Sequence, residues 1–335
     1  MSVAVSEEAL AVHAAYPPVD LHADSLMWTR WLRYDLHTHH ARGLPRNAFA
    51  RHLDVPRMQE GGMGAQFFGL VSLPVTMRSG AVMRAVDAQI DALERTIARR
   101  PGELVLCRTA ADVEAAERGG AIAALLGIEG AHALEGEIEN VERFARRGVR
   151  YLGLLHFSAN EAGYPAFGRG RADDRGLTTF GLELVERCED VGVIVDLTHV
   201  NRRGFFDACR RATKPMIVSH TGVLGVYEHW RNIDDEQLHA VADAGGCIGV
   251  MFCPHFLGGD GLDPVVEHMK HIINIVGEDA VALGSDWDGF IVPTRELADP
   301  TGLPKLTEAL LRSGLTHGAV GKALRLNALR VLAEA

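Results

Sequence analysis

Cysteine is scarce. Only five occur in 335 residues, at positions 107, 188, 209, 247 and 253, and no two form a Cys-x-x-Cys pair. That scarcity excludes a disulfide framework and a thiolate zinc site, and it points to a reducing, cytoplasmic setting. Long apolar runs are missing too: no stretch reaches the roughly 20 uncharged residues that a membrane-spanning helix needs. The opening "MSVAVSEEALAVHAAYPP" carries acids where a secretory signal would carry bases and an apolar core. The closing "LRVLAEA" is too short for a lipid-anchor signal. The expectation is therefore a protein with no membrane partner. Positive charge is in deficit, with 34 Lys and Arg against 44 Asp and Glu and a formal net charge of −10, which argues against a nucleic-acid partner or an anionic lipid surface. No Gly-x-Gly-x-x-Gly follows the first apolar run. The glycines of "MQEGGMGAQ" lie before a strand, where a phosphate loop would not sit. Low-complexity linkers and internal repeats of 20–50 residues are also lacking.

What the chain does have is alternation. Eight β-type runs are predicted at 19–24, 65–73, 121–130, 149–156, 193–199, 215–220, 247–252 and 281–289. Between them lie amphipathic stretches such as "AVMRAVDAQIDALERTIARR" and "TTFGLELVERCEDVG", the latter stopped by a glycine. "DDEQLHAVADAGG" has the same form, with Asp234 or Asp235 as N-cap. Eight βα alternations in one chain predict a distorted (β/α)8 barrel of the TIM type, with a doubly wound open sheet as runner-up. One catalytic barrel domain would span 1–335, with 1–18 as an N-terminal extension and 301–335 as helices packed on the barrel. The tail "LTEALLRSGLTHGAVGKALRLNALRVL" reads as two helices and a turn. The acidity of the chain sets aside a DNA-reading helix-turn-helix there.

The apolar runs end in side chains that can bind metal or titrate: His22 and Asp24, Glu129, His156, His199, His220 and Asp286. In a barrel these ends converge on one mouth. A carboxylate closing a buried run is costly unless a charge compensates it, and a divalent cation does so. A single strand-end histidine is more often a hydrogen-bonded core residue than a ligand. Seven such residues at six of the eight ends favour a metal site. Two metals about 3.5–4 Å apart need a bridge, and a two-oxygen carboxylate supplies one. Glu129 suits that role, with His22 and Asp24 completing one metal and His199 and His220 the other. Each ion then has three protein ligands and a position left for water. Nitrogen and oxygen ligands without cysteine fit two Zn2+, with Co2+ or Mn2+ also compatible.

"YDLHTHH" at 34–40 offers a competing His-x-His pair, His37 and His39. It follows "MWTRWLR", which is not a strand run, and its use would leave "VDLHAD" idle. These histidines are expected in the loop after the first strand, near the substrate, rather than on the metal.

Taken in order, the motifs resemble the membrane (renal-type) dipeptidases, zinc peptidases on a barrel related to the amidohydrolases. "DLHAD" is similar to that family's Asp-x-His-x-Asp, and "HLDVPRMQEGGMGAQFF" to its segment before strand two. "GIEGAHAL" carries the bridging glutamate and "YLGLLH" the substrate-binding histidine, His156. "DLTH" and "VSHTG" carry the second metal's histidines, "RNIDDEQLHAVADAGGCIGV" includes Arg231, and "GSDWDG" holds Asp286. "GLPKLTEALLRSG" also matches. The resemblance implies hydrolysis of small dipeptides by a hydroxide between two zinc ions. It implies that His156 stabilises the oxyanion, that Asp286 shuttles the proton to the leaving amine, and that Arg231 binds the substrate carboxylate. It also implies a possible homodimer.

Departures from the family pattern fall at Ala23 for an asparagine, at Leu155 for a threonine, and in "FSANEAGYPAFGRG" for an asparagine-rich loop. "MFCPHF" replaces Asn-Phe-Tyr, and Arg325-Leu326 a glycine pair before Asn327. The metal set is intact and the substrate pocket is expected to be altered. An alternative is therefore another small amide, a lactone or an N-acyl amino acid on the same centre. A non-catalytic ligand-binding barrel is a third reading, disfavoured by His156 and Asp286.

Overall fold

The computed structural model describes residues 4–40, 49–71 and 80–335. Nine strands are present among them: β1 Val19–Ala23, β2 Ala65–Val71, β3 Leu104–Leu106, β4 Ile122–Glu129, β5 Val149–Gly153, β6 Ile194–Asp196, β7 Ile217–Thr221, β8 Cys247–Val250 and β9 Val281–Leu283. Eight of them, β1-β2-β4-β5-β6-β7-β8-β9, pair in parallel and close on themselves through β1–β9 and β2–β4. Helices connect them, so the fold is a (β/α)8 barrel. The doubly wound alternative is excluded, because an open sheet has no closing pair.

The ninth strand, β3, lies outside this ring. It pairs with Ile122–Ala124 at the start of β4, while β5 pairs with Leu126–Ile128 further along the same edge. Three residues between Glu103 and Cys107 are too few to show a period, and only pairing with β4 makes them a strand. All eight expected runs are strands; six of them stop short of the expected end, while β7 runs one residue past it, to Thr221. The 281–289 run is a strand for three residues only, then a turn in which Asp286, Asp288 and Phe290 have φ of 60°, 67° and 61°. The last two residues of the 65–73 run lie outside the described residues.

Period-two alternation sorts the strand residues. Ala65 and Phe67 of β2, Ala123 and Leu125 of β4 and Tyr151 of β5 join one buried cluster inside the barrel, which the C-terminal residues Ala328, Leu329, Val331 and Leu332 close from below. Phe68, Leu70, Ala124, Leu126 and Ile128 face outward to the helices. Register breaks fall between Asp20 and Ala23 in the β1–β2 pair and between Val218 and Thr221 in the β7–β8 pair. His22 and His220 sit within those two breaks.

The tail forms a helix over Leu303–Arg312, then His317–Gly321, which runs through a wider π turn, Lys322–Leu326, into the helix Asn327–Glu334. Asn327 Nδ2 donates to the carbonyls of Glu278 and Val281, and Arg325 pairs with Glu117. The Arg325-Leu326 departure therefore belongs to the base of the barrel, not to the substrate pocket. No described helix is long and apolar enough to cross a membrane.

Candidate metal centre

Each strand end delivers its side chain to one point above the barrel interior. Glu129 closes β4, Asp24 follows β1, and His156, His199 and Asp286 lie just past β5, β6 and β9. His199 has φ 68°. Left-handed backbone at non-glycine residues costs energy and concentrates where side chains must be aimed for function.

Glu129 is the hub. Its Oε1 lies 2.9 Å from His199 Nε2, 3.6 Å from His220 Nε2 and 3.9 Å from His22 Nε2. Its Oε2 is 3.5 Å from His156 Nε2. The His22 and His220 rings stack with centroids 4.0 Å apart. Ligand-capable atoms of His22, Asp24 and Glu129 fall within 4.8 Å of one another, as do those of Glu129, His199 and His220. These are the two sets expected from the sequence. A third grouping, His22, His220 and Asp286, meets the same distance criterion, so Asp286 stands close enough to touch a bound ion as well as a substrate.

Several atoms aimed into this space lack partners. His22 Nε2, Asp24 Oδ1, Glu129 Oε2 and His156 Nδ1 are buried with no hydrogen bond; His22 Nε2 and Asp24 Oδ1 approach to 3.1 Å without the alignment of one. Buried polar groups are ordinarily satisfied. Two interior glycines keep the space open: a Cβ on Gly69 would sit 2.2 Å from Asp24 Oδ1, and one on Gly127 would enter the Tyr151 ring.

The electrostatics point the same way. Burial pushes the Asp24 carboxyl up to about 6 and Asp286 well above the carboxylate range. Burial alone would depress His22, but Asp24, Glu129 and Asp286 outweigh it and lift the imidazole to about 10. Burial holds His199 and His220 far below the usual range and His156 down at about 3, so all three are neutral with a lone pair to give. Burial lowers the Arg231 guanidinium, against the pull of Asp286 and Glu129. Three buried carboxyl groups crowd together with three neutral imidazoles, and His22 is lifted because it is drawn into balancing their charge; divalent cations would supply that positive charge instead. The donor set fits metal.

Further residues hold the candidate ligands and escaped the sequence reading. Tyr151 Oη is 2.6 Å from His22 Nδ1. Ser219 Oγ lies 3.0 Å from His220 Nδ1 and donates to Asp196 Oδ2 at 2.6 Å. Asp20 accepts from the backbone and hydroxyl of Ser285, fixing the residue before Asp286. Ligating histidines ordinarily use their second nitrogen this way. Asp196 could have been suspected, as a carboxylate inside the apolar run that ends at His199. Tyr151 reads as core, because an aromatic in a strand carries no chemical signal by itself.

Arg231 is buried, and its Nη2 donates to the His220 carbonyl at 2.6 Å. It lines the same pocket of about 200 Å³ as Asp24, Glu129, His156, His199, His220 and Asp286. His37 and His39 lie after β1 and outside the metal-capable groupings, as expected, but the expectation that they stand near the substrate fails. His37 is buried against Glu103 Oε2 and the Thr96 carbonyl, both at 2.8 Å, and His39 is an exposed partner of Glu60. The chain after β1 leaves the mouth and packs on the last turn of the helix Ala81–Arg99, so neither residue is near the substrate pocket.

The family model for membrane dipeptidases, peptidase family M19, matches residues 6–335. An uncharacterised protein of Klebsiella pneumoniae, from the region 5′ of pqqA, is 37% identical over 254 residues, covering 73% of this chain and 93% of that protein. An uncharacterised dipeptidase of Schizosaccharomyces pombe is 31% identical over 306 residues, 85% of this chain and 72% of that one. A metallopeptidase of Rhodobacter sphaeroides, solved with a phosphinate mimic of the dipeptide L-Ala-D-Ala, has a TM-score of 0.82 and 27% identity over 95% of this chain and 99% of that one. Full-length agreement with the family model, on a barrel whose mouth gathers a metal-binding donor set, makes this chain a member of the membrane dipeptidase family of metallopeptidases.

Proposed function

We propose that the protein is a binuclear zinc dipeptidase, which adds water across the peptide bond of a dipeptide and releases two free amino acids. The observation that carries this reading is the placement of Glu129 between two ligand sets, with buried atoms of His22, Asp24 and Glu129 left unpartnered. His22 and Asp24 would hold one ion, His199 and His220 the other, and Glu129 both. When bound, such ions supply water acidic enough to act as a nucleophile at neutral pH and positive charge for the carbonyl oxygen.

The chain's own groups do the rest. Neutral His156, its Nε2 facing the pocket beside Glu129, donates to the carbonyl oxygen as negative charge develops there. Asp286, within reach of His22 and His220, would act as the carboxylate that takes the proton from the attacking water and then, as the carboxylic acid, passes it to the amine as the C–N bond breaks. Arg231 already spends one nitrogen on the His220 carbonyl, which fixes the guanidinium and leaves its remaining donors for the substrate carboxylate. The phosphinate mimic of a dipeptide held by the R. sphaeroides metallopeptidase supports the dipeptide as substrate class.

The test is the carboxylate. Amidating the C-terminus of a good dipeptide should lower kcat/KM by at least about tenfold, because a charge-assisted pair contributes about 1.5–3 kcal/mol. Arg231→Ala should lower activity on the free acid and largely erase the difference. Equal turnover of free and amidated substrates would sink the dipeptidase reading and favour another amide, a lactone or an N-acyl amino acid on the same centre.

A further inference from the structure

The floor of the pocket is polar, but its collar is not. Among the described residues, the apolar side chains that wall it are Val71, Phe157, Phe256, Phe290 and Ile291. Two of these stand out because they are open to solvent: Phe157 is 40% exposed and Phe290 45%. An exposed phenylalanine is ordinary when it stands alone on a surface. These two border a buried metal-binding donor set, and both are held in place.

Phe157 follows His156 directly, and its ring packs 4.4 Å from the His156 ring and 4.9 Å from that of His199. Phe290 sits on left-handed backbone, φ 61°, which is costly for a bulky aromatic. Its ring lies 5.0 Å from Trp28 and 6.5 Å from Trp31. The turn beneath it is pinned. Trp28 Nε1 donates to the Asp288 carbonyl at 2.7 Å, Ser25 and the His52 amide donate to the Asp288 carboxylate, and the Asp288 amide donates to His52 Nδ1. The strained turn is thus overdetermined by its neighbours, and what it presents at the pocket is the Phe290 ring.

The two rings come from opposite sides. Phe157 follows β5 and Phe290 follows β9, and those strands are four places apart in the closed ring of eight. A dipeptide laid across the centre, its amide over Glu129, therefore meets an aromatic wall at each flank. Resting on the dipeptidase reading above, we propose that Phe157 and Phe290 determine specificity, each receiving one of the two substrate side chains, and that the preferred substrates are dipeptides with apolar side chains. An ionised side chain would lose hydration against either wall without gaining a partner.

The experiment compares X-Gly and Gly-X series, with X as Gly, Ala, Leu, Phe, Asp and Lys, on zinc-loaded wild type and on Phe157→Ala and Phe290→Ala. Wild type should favour Leu and Phe over Asp and Lys by at least about tenfold in kcat/KM. Each substitution should lower the Leu and Phe substrates of one series by about 10- to 100-fold, leave Gly-Gly within about threefold, and leave bound zinc unchanged. The two variants should act on different series. Zinc content and melting curves separate a lost wall from a lost fold. Equal losses on Gly-Gly and on Leu substrates, both variants acting on one series, or a preference for Lys held by the ring faces, would each overturn the proposal. Failure of wild type to cleave any member of either series would instead sink the dipeptidase reading itself.

Discussion

The mouth and the base of this barrel bury the same kinds of side chain to opposite ends. Toward the base, His13 uses both ring nitrogens, on Thr307 Oγ1 and the Gly61 carbonyl at 2.8 Å each. His37 does the same with Glu103 and Thr96, and Arg325 binds both carboxylate oxygens of Glu117. At the mouth, His22 spends Nδ1 on Tyr151 and keeps Nε2 unpartnered, and Glu129 keeps Oε2 unpartnered. Burial and residue type do not distinguish the two regions. The unspent valence does: a histidine with both nitrogens satisfied is structure, and one with a single nitrogen anchored and the other aimed at a carboxylate has the donor a metal ligand needs.

The change expected to break this contrast most severely is Glu129→Gln. Removing the shared charge should cost most of the bound zinc and nearly all turnover, read as metal per chain after dialysis and as hydrolysis of a free dipeptide. Two tightly held ions in that variant would falsify the bridging role. His22→Ala or Asp24→Ala should empty one site first, and His199→Ala or His220→Ala the other.

Asp286→Asn comes next. A proton-transfer role predicts that zinc stays and kcat falls by about 10²–10⁴-fold. Because Asp286 also lies within reach of His22 and His220, metal analysis of the same variant sharpens the assignment. Loss of one ion would make it a ligand, and a fall below about tenfold with chemistry rate-limiting would remove it from the proton path.

Tyr151→Phe should act more gently, deleting only the hydroxyl that orients His22. Zinc affinity should weaken by about 10- to 100-fold, measured by competition with a chromophoric chelator. An unchanged affinity would mean that packing alone holds the ring. Smallest of all should be the effect of His37→Ala combined with His39→Ala on the metal. The variant should melt earlier, having lost the buried contacts of His37, yet bind two zinc ions as tightly as wild type. Release of an ion from the folded variant would put the unspent-valence criterion in doubt.

Much of this could be read from the chain alone. Strands β1, β2 and β4 to β9, their parallel order and the seven polar residues closing them were legible because a buried parallel strand is a short apolar run and a costly carboxylate or histidine at its end stands out. Strand β3 was not, because three residues have no period. His37 misled because a His-x-His spacing says nothing about which way the chain turns after β1.

The order of residues by itself determined the alternation of strand and helix, the identity of the ligand-capable side chains and their allotment to strand ends, since these depend on local periodicity and on residue chemistry. Closure of the barrel through β1–β9 and β2–β4 decided the rest. It set Glu129 among His22, His199 and His220, put Tyr151 and Ser219 behind the ligands, and stood Phe157 opposite Phe290 across the mouth. Those are relations between residues tens to hundreds of positions apart. Sequence spacing cannot carry them, because the distance between two strand ends depends on which strands are neighbours once the sheet has closed.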